Sequence, residues 1–336
     1  MAPDLFRKLY FHAKAARRLV AIAKAKDLSF FSVFFADSLS VFGQREDQDK
    51  YEIFTRLREV RSLAPYLANT ILFSPPYALS AGDLPTAIVF PVVVKPIWGA
   101  QSAGIVGVRD AKTLQRLLRA RRSPYIFQKL IRGALEISVS YTRDPAGASD
   151  FFGVAAKRPV RWTENWRDGR CRIPRYFDYQ DLTHDIAREH FLKVCRDIAQ
   201  ALRTNTFRFD AFIREENGKL LTNSLQIIDV NPGVFASDEF LFDKRHGTEF
   251  VVEQLVRRYT YLLSWGANYA QHRAHLKLQK LILHYLYCYG VVLYRQFSET
   301  PLISKFRGAG FGIVDLFAAT KTTSEHTNRS AQRKII

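Results

Sequence analysis

Two short segments of this chain alternate apolar and polar residues strictly enough to read as half-buried β-strands: FRFDAFI at 207–213 and QIIDVNPG at 226–233. Every second side chain of a strand points to the same face, so Arg208 and Asp210 share one face, as do Asp229 and Asn231. Set side by side, such strands offer hard oxygen donors from Asp210, Asp229 and Asn231 next to the Arg208 guanidinium. That is a set suited to Mg²⁺ held against phosphate oxygens. The same alternation also describes a solvated strand face whose charges stand in water.

Upstream, FPVVVKPIWGAQSAGIVGV covers residues 90–108. Its apolar run from Pro91 to Val94 predicts a buried strand that delivers Lys95 at its end, a point charge suited to phosphate. Residues 99–104, with Ser102 and Gly104 among them, are small enough for backbone N–H groups to approach an anion closely. An ordinary hairpin turn with a snorkelling lysine is the alternative reading.

Taken in order, these motifs resemble the ATP-grasp superfamily, most nearly its D-alanine:D-alanine ligase branch. The resemblance rests on Lys95-Pro96 with its small-residue loop, YIFQKLIRGALE at 125–136, Arg208-x-Asp210 and Asp229-x-Asn231-Pro232-Gly233. Asp49-Lys50 is similar to the pair that opens the fold in many members, and the match spans roughly residues 48–240. The implied fold is α/β (α+β), with two lobes holding ATP between them. The resemblance also implies roles for single residues. Lys50 and Lys95 would meet ATP phosphates or the adenine edge, and Ser102 and Gly104 would lie on a loop over the phosphates. Gln128, Lys129, Leu130 and Ile131 would form the strand whose backbone holds adenine, with Glu136 at the ribose. Lys157 would contact a phosphate, Arg208 would neutralise the transferred phosphoryl group or the acyl phosphate, and Asp210, Asp229 and Asn231 would ligate Mg²⁺, with Mn²⁺ as the alternative ion.

Three departures stand out. Family members usually carry Glu at the position of Asp229 and often Glu at that of Gln128. The first change shortens a metal ligand by one methylene; the second removes a charge but keeps an acceptor for the adenine amino group. The third is an additional residue between Gly133 and Glu136. The link from Asp210 to Asp229 is also long, so a loop near 215–218 or a bulge must take up the slack if the two are to pair.

The organisation expected along the chain is a basic N-terminal segment at 1–47, a first lobe at 48–124 and a second lobe with the metal site at 125–244. A helical extension at 245–316 and a disordered tail at 317–336 would follow. Residues 5–26 carry seven Lys or Arg and no acid, and Leu5, Leu9, Tyr10, Ala16, Leu19 and Val20 recur near helical spacing. This basic helix either packs on the core with a solvated charged face or lies on an anionic membrane surface, and a mitochondrial presequence would look similar. Within 157–172, basic residues interleave with Trp162 and Trp166, a pattern that also suits stacking on single-stranded nucleic acid.

Lys and Arg exceed Asp and Glu by 50 − 32 = 18, which favours anionic partners. Cys171, Cys195 and Cys288 are too scattered for a metal site or a disulfide framework, and read as reduced thiols of a cytoplasmic protein, peripheral to the membrane if the helix docks there. The eight histidines show no ligand spacing, and Walker-type and nucleophile-elbow motifs are absent. The function expected is an ATP- and Mg²⁺-dependent carboxylate-amine ligase that forms an amide through an acyl phosphate, with small carboxylate and amine substrates. The competing readings are an ATP-binding pseudoenzyme or phosphoryl-transfer relative of the same fold, and a basic nucleic-acid or membrane-surface protein.

Overall fold

The computed structural model describes residues 2–35, 49–73, 88–97, 105–119, 124–159, 166–172, 177–217, 219–233 and 243–272. Ser102 and Gly104, Trp162, Cys288 and the chain beyond 272 lie outside the described residues.

Among the described residues, ten strands form two antiparallel five-stranded sheets. The first holds β1 (Thr70–Phe73), β2 (Val92–Pro96), β3 (Val106–Val108), β4 (Tyr125–Lys129) and β7 (Arg170–Arg172), in the order β1-β4-β2-β3-β7. The second holds β5 (Leu135–Thr142), β6 (Phe151–Pro159), β8 (Phe177–Asp181), β9 (Thr206–Glu216) and β10 (Lys219–Pro232), in the order β10-β9-β5-β6-β8. Helices α1 (Ala2–Ala25), α2 (Lys50–Arg58), α3 (Ala111–Arg119), α4 (Arg188–Leu202) and α5 (Thr248–His272) complete the described elements. The expectation of a mixed, two-lobed architecture agrees with this arrangement.

Each sheet has an apolar back. In the second sheet, Ile137, Val139 and Tyr141 of β5, Phe207, Phe209 and Ala211 of β9, and Val154 and Ala156 of β6 belong to one buried cluster. Phe191, Cys195, Ile198 and Leu202 belong to the same cluster and recur along one stripe of α4 at helical spacing. Ile53, Phe54 and Leu57 of α2 join them, so α2 is anchored in the core of the second sheet although it precedes every strand. The smaller first sheet buries Val92, Val94, Val108, Tyr125 and Phe127 with Leu114, Leu117 and Leu118 of α3. The N-terminus of α3 is capped by Asp110, whose carboxylate accepts the Thr113 N–H at 2.8 Å.

Two details differ from the sequence reading, and between Asp210 and Asp229 one of its two alternatives, the bulge, is found. Residues from 125 onward were grouped with the second lobe, yet β4 pairs with β1 and β2, and β7 pairs with β3, inside the first sheet. Chain order hides this, because the strands of the second sheet intervene between β4 and β7. The slack between Asp210 and Asp229 is taken up within the strands and not by a long turn. The hairpin closes tightly between Glu216 and Lys219, and the register shifts between Leu221 and Gln226 and again between Ile227 and Asp229. The Ser224 hydroxyl supports the first shift, accepting the Arg214 N–H at 2.8 Å and donating to the Leu221 carbonyl at 2.6 Å.

The second difference concerns α1. Its buried stripe is Phe11, Ala15, Leu19 and Ala23, and the helix packs on α5. Of the apolar residues that recur along it, Leu19 is buried, whereas Leu9, Tyr10 and Val20 are exposed. Small side chains at Ala15 and Ala23 allow close approach to α5, and His12 Nδ1 and the Tyr259 hydroxyl meet across the contact at 2.9 Å. Arg18 reaches Glu253 of α5 at 2.7 Å.

Phe54→Ala removes a ring that is 1 % exposed and should lower the unfolding free energy by about 3–5 kcal/mol. Phe6→Ala, at a ring 69 % exposed, should change it by less than ~0.5 kcal/mol. Urea titration of the two variants checks the contrast.

Candidate active site

Because the back of the second sheet takes its apolar side chains, the front receives the other parity: Glu136 and Ser138 on β5, Lys157 on β6, Arg208 and Asp210 on β9, and Asp229 and Asn231 on β10. The register sets them in rows. Asp229 stands opposite Asp210, which stands opposite Ser138; Asn231 stands opposite Arg208; Glu136 stands opposite Lys157. The shift after Ile227 produces the first of these pairings.

Charges on this face are interlocked. Lys157 Nζ lies 2.8 Å from Asp210 and 3.4 Å from Glu136, and Arg208 Nη2 donates to the other oxygen of Asp210 at 3.0 Å. The Ser138 hydroxyl donates to Asp210 at 3.0 Å. Burial opposes ionisation of Asp210, but Arg208 and Lys157 outweigh it and hold the carboxyl far below its usual range. Burial pushes Glu136 upward, with Lys157 acting against it.

Other elements bring two more lysines to this face. Lys50 opens α2, where the Asp49 carboxylate caps the helix by accepting the N–H groups of Tyr51 and Glu52 at 2.8 and 3.2 Å. Its ammonium holds both oxygens of Asp229, at 2.5 and 2.6 Å. Asn231 Nδ2 lies 3.4 Å from the same carboxylate. Lys95, at the end of β2, crosses from the first sheet and donates to the Ile228 carbonyl at 3.0 Å. Ile228 is the residue added by the second register shift, so one irregularity both aligns Asp229 and supplies the acceptor for Lys95. Burial lowers Lys95 to about 8, with Asp229 opposing that shift and Lys50 adding to it.

Gln128 lies on the same face of the first sheet as Lys95 and is 2 % exposed. Its Nε2 donates to the Thr70 hydroxyl at 2.9 Å, and its Oε1 is buried without a hydrogen-bond partner. Lys129 is exposed, Leu130 is buried with its N–H given to the Pro91 carbonyl at 3.0 Å, and Ile131 follows beyond the strand end. The structure therefore brings together Lys50, Lys95, Glu136, Lys157, Arg208, Asp210, Asp229 and Asn231 and places Gln128 on the facing sheet, while the Lys129 side chain stays outside the group. Ser138, Thr70 and the Ile228 carbonyl were not anticipated. The alternating polar run Glu136, Ser138, Ser140 and Thr142 was the sequence signal for the first of them.

The donor set fits Mg²⁺ shared with a nucleotide better than Mg²⁺ in a closed protein cage. Among the described residues no three His, Cys, Asp or Glu side chains gather as metal ligands. Two opposed carboxylates with a neighbouring amide are what Mg²⁺ uses when phosphate oxygens and water supply its remaining positions. The orphaned Gln128 Oε1 is a buried acceptor matched to an amino group such as that of adenine. The remaining basic stretch joins the two sheets: after Lys157 on β6, residues 166–172 turn through Asp168 and Gly169 and join the first sheet as β7.

No protein-family model matches the sequence, and a search of curated proteins finds no match. Solved structures are similar in fold at low identity. The D-Ala:D-Ser ligase VanG from Enterococcus faecalis is 15% identical over 63% of this chain and 62% of its own, with a TM-score of 0.44. The D-alanine-D-alanine ligase from Helicobacter pylori is 19% identical over 63% of this chain and 61% of its own, with a TM-score of 0.41. The D-alanine–D-alanine ligase from Bacillus anthracis, solved with ATP, is 17% identical over 67% of each chain, with a TM-score of 0.42. The chain thus spans about three fifths of the length of the first two.

The lowered Lys95 makes a testable statement about stability. Between pH 8 and 10.5 the unfolded chain holds a proton on this amine that the folded chain has released, so its contribution rises with pH; below pH 8 the full cost of the buried ammonium is present. Lys95→Met should stabilise the protein by about 3 kcal/mol at pH 7, and this difference from wild type should vanish toward pH 10.5. Paired urea titrations across that range measure it, and a variant less stable than wild type at pH 7 would contradict it.

Proposed function

We propose that the chain is an ATP-grasp ligase that uses ATP and Mg²⁺ to join a carboxylate to an amine. The observation that carries this reading is the set of ion pairs on the front of the second sheet, which Lys95 reaches from the first. Four cations, Lys50, Lys95, Lys157 and Arg208, converge with three carboxylates, Glu136, Asp210 and Asp229. The excess of one positive charge favours an anion. In the present arrangement Lys50 sits on Asp229 where a metal would sit, and Asp229 holds Lys50 where a phosphate would lie. Binding of a metal-bound polyphosphate would exchange one pair for two, each carboxylate turning to the metal and each ammonium to a phosphate oxygen.

The chemistry follows from these positions. An oxygen of the acid substrate attacks the terminal phosphorus of ATP, the bond to ADP breaks, and an acyl phosphate forms. The amine nitrogen then attacks the acyl carbon, phosphate leaves with the bonding electron pair, and the nitrogen loses a proton. Mg²⁺, when bound, supplies charge that the phosphate oxygens can share. Lys50, Lys95 and Lys157 would bind and orient the phosphates. Arg208, fixed by its bond to Asp210, would face the charge that builds on the transferred group. Gln128 would accept from the adenine amino group, the 128–131 backbone would line the base and Glu136 would meet the ribose. Ser102 and Gly104 would close over the phosphates. The ammonium form of Lys95 is the one that attracts phosphate, so nucleotide affinity should weaken as pH rises above about 8.

An ADP-release screen across amino acids and amines, with product masses read directly, tests the activity. ADP formation that requires both partners and yields the amide mass supports it; ATP binding without substrate-dependent ADP release overturns it. Asp210→Asn or Asp229→Asn should each reduce the turnover of the folded protein about a thousandfold, a loss of ~4 kcal/mol in the transition state. Lys95→Ala should weaken nucleotide binding far more than Lys112→Ala, whose side chain is exposed on α3. Equal titrations for the two variants would remove Lys95 from the nucleotide site.

A further inference from the structure

The side of α1 turned away from α5 is unusual for a solvent face. Phe6, Leu9, Tyr10 and Val20 are 69, 44, 50 and 50 % exposed. At 3.6 residues per turn, Phe6, Tyr10, Ala13, Arg17, Val20 and Lys24 fall on one stripe opposite the buried Phe11, Ala15, Leu19 and Ala23. Arg17 and Lys24 are themselves exposed within this stripe. Lys14 and Arg18, at its edge, face Glu249 and Glu253 of α5. The only acid in the helix sequence is Asp4, against six Lys or Arg.

We propose that this outer face of α1 docks the protein on an anionic lipid surface, with the helix lying in the plane of the interface. Two independent features match that occupant. Large apolar side chains gain by entering the boundary between headgroups and acyl chains, while arginine and lysine beside them reach back to lipid phosphates. The charge is complementary, since the stripe carries cations without acids and the whole chain has a formal net charge of +18. A nucleic acid would satisfy the cations but has no apolar layer to receive Leu9 and Val20. No helix among the described residues is long and apolar enough to cross a membrane. Docking through this side leaves the α5 contact intact, because the two faces of α1 do not overlap.

Cosedimentation of the full chain with vesicles of phosphatidylcholine and phosphatidylserine at three parts to one tests the proposal. Binding should be strong at low salt, weak at high salt and minimal on pure phosphatidylcholine. Arg17→Gln with Lys24→Gln should weaken it about thirtyfold. A charge-matched pair on other exposed lysines, Lys112→Gln with Lys244→Gln, should change it no more than a few-fold, which separates a local face from general attraction to a basic protein. Leu9→Ser with Val20→Ser should weaken binding at least about tenfold while circular dichroism stays that of wild type. Equal losses from the two charge pairs, equal binding to neutral vesicles, or no pelleting at low salt would overturn the proposal. So would a single-stranded RNA that binds with the same dependence on Arg17 and Lys24 while the Leu9 and Val20 variants leave vesicle binding unchanged.

Discussion

A carboxylate and an ammonium group leave water together at tolerable cost and separately at a prohibitive one. The contact of Lys50 with Asp229 is therefore the joint on which the front of the molecule depends. Three lysines here are less than a tenth exposed, and each is placed by an element whose opposite side is apolar. Lys50 leads a helix sunk in the α4 core, Lys95 ends a strand backed by α3, and Lys157 lies on the front of a strand whose back is Val154 and Ala156. Hydrophobic burial behind the strands supplies the free energy with which the fold sustains this concentration of charge in front.

The division of labour between the two sheets is uneven. Lys50, Asp229, Asp210, Arg208 and Lys157 belong to parts that share one buried cluster, because α2 is packed into the second sheet's core. Lys95 and Gln128 come from the first sheet, and Lys95 reaches that group by donating to the Ile228 carbonyl. A relative movement of the sheets would leave the ion pairs of Asp210 and Asp229 whole while carrying Lys95 and the buried acceptor of Gln128 away from them.

What the sequence disclosed was what is local. The shared face of Arg208 and Asp210, and that of Asp229 and Asn231, follow from period-two alternation and are seen in the sheet register. The capping of α3 by Asp110 is equally local. The partner of Lys50 was not legible, since it lies 179 residues away and depends on where α2 packs. Nor was the buried side of α1. Leu9, Tyr10 and Val20 dominate any count of apolarity, but contact with α5 selects for the small Ala15 and Ala23, which such a count passes over. Membership of β4 in the first sheet was hidden for a related reason: pairing partners are chosen across the fold, and a boundary drawn along the chain cannot follow them.

The added residue at Ile228 has a consequence for how this sequence can vary. Without it the ladder would run regularly from the Ile227–Ala211 pair to the Asp229–Asp210 pair, so its removal would leave every following side chain of β10 on its present face. What would be lost is a backbone carbonyl: the Ile228 oxygen accepts from Lys95 at 3.0 Å, whereas the Ile227 oxygen is already taken by the Ala68 N–H. Replacing the Ile228 side chain leaves that carbonyl in place. The extra residue therefore matters through its backbone, and its deletion would strip a buried ammonium of its acceptor while substitution would not.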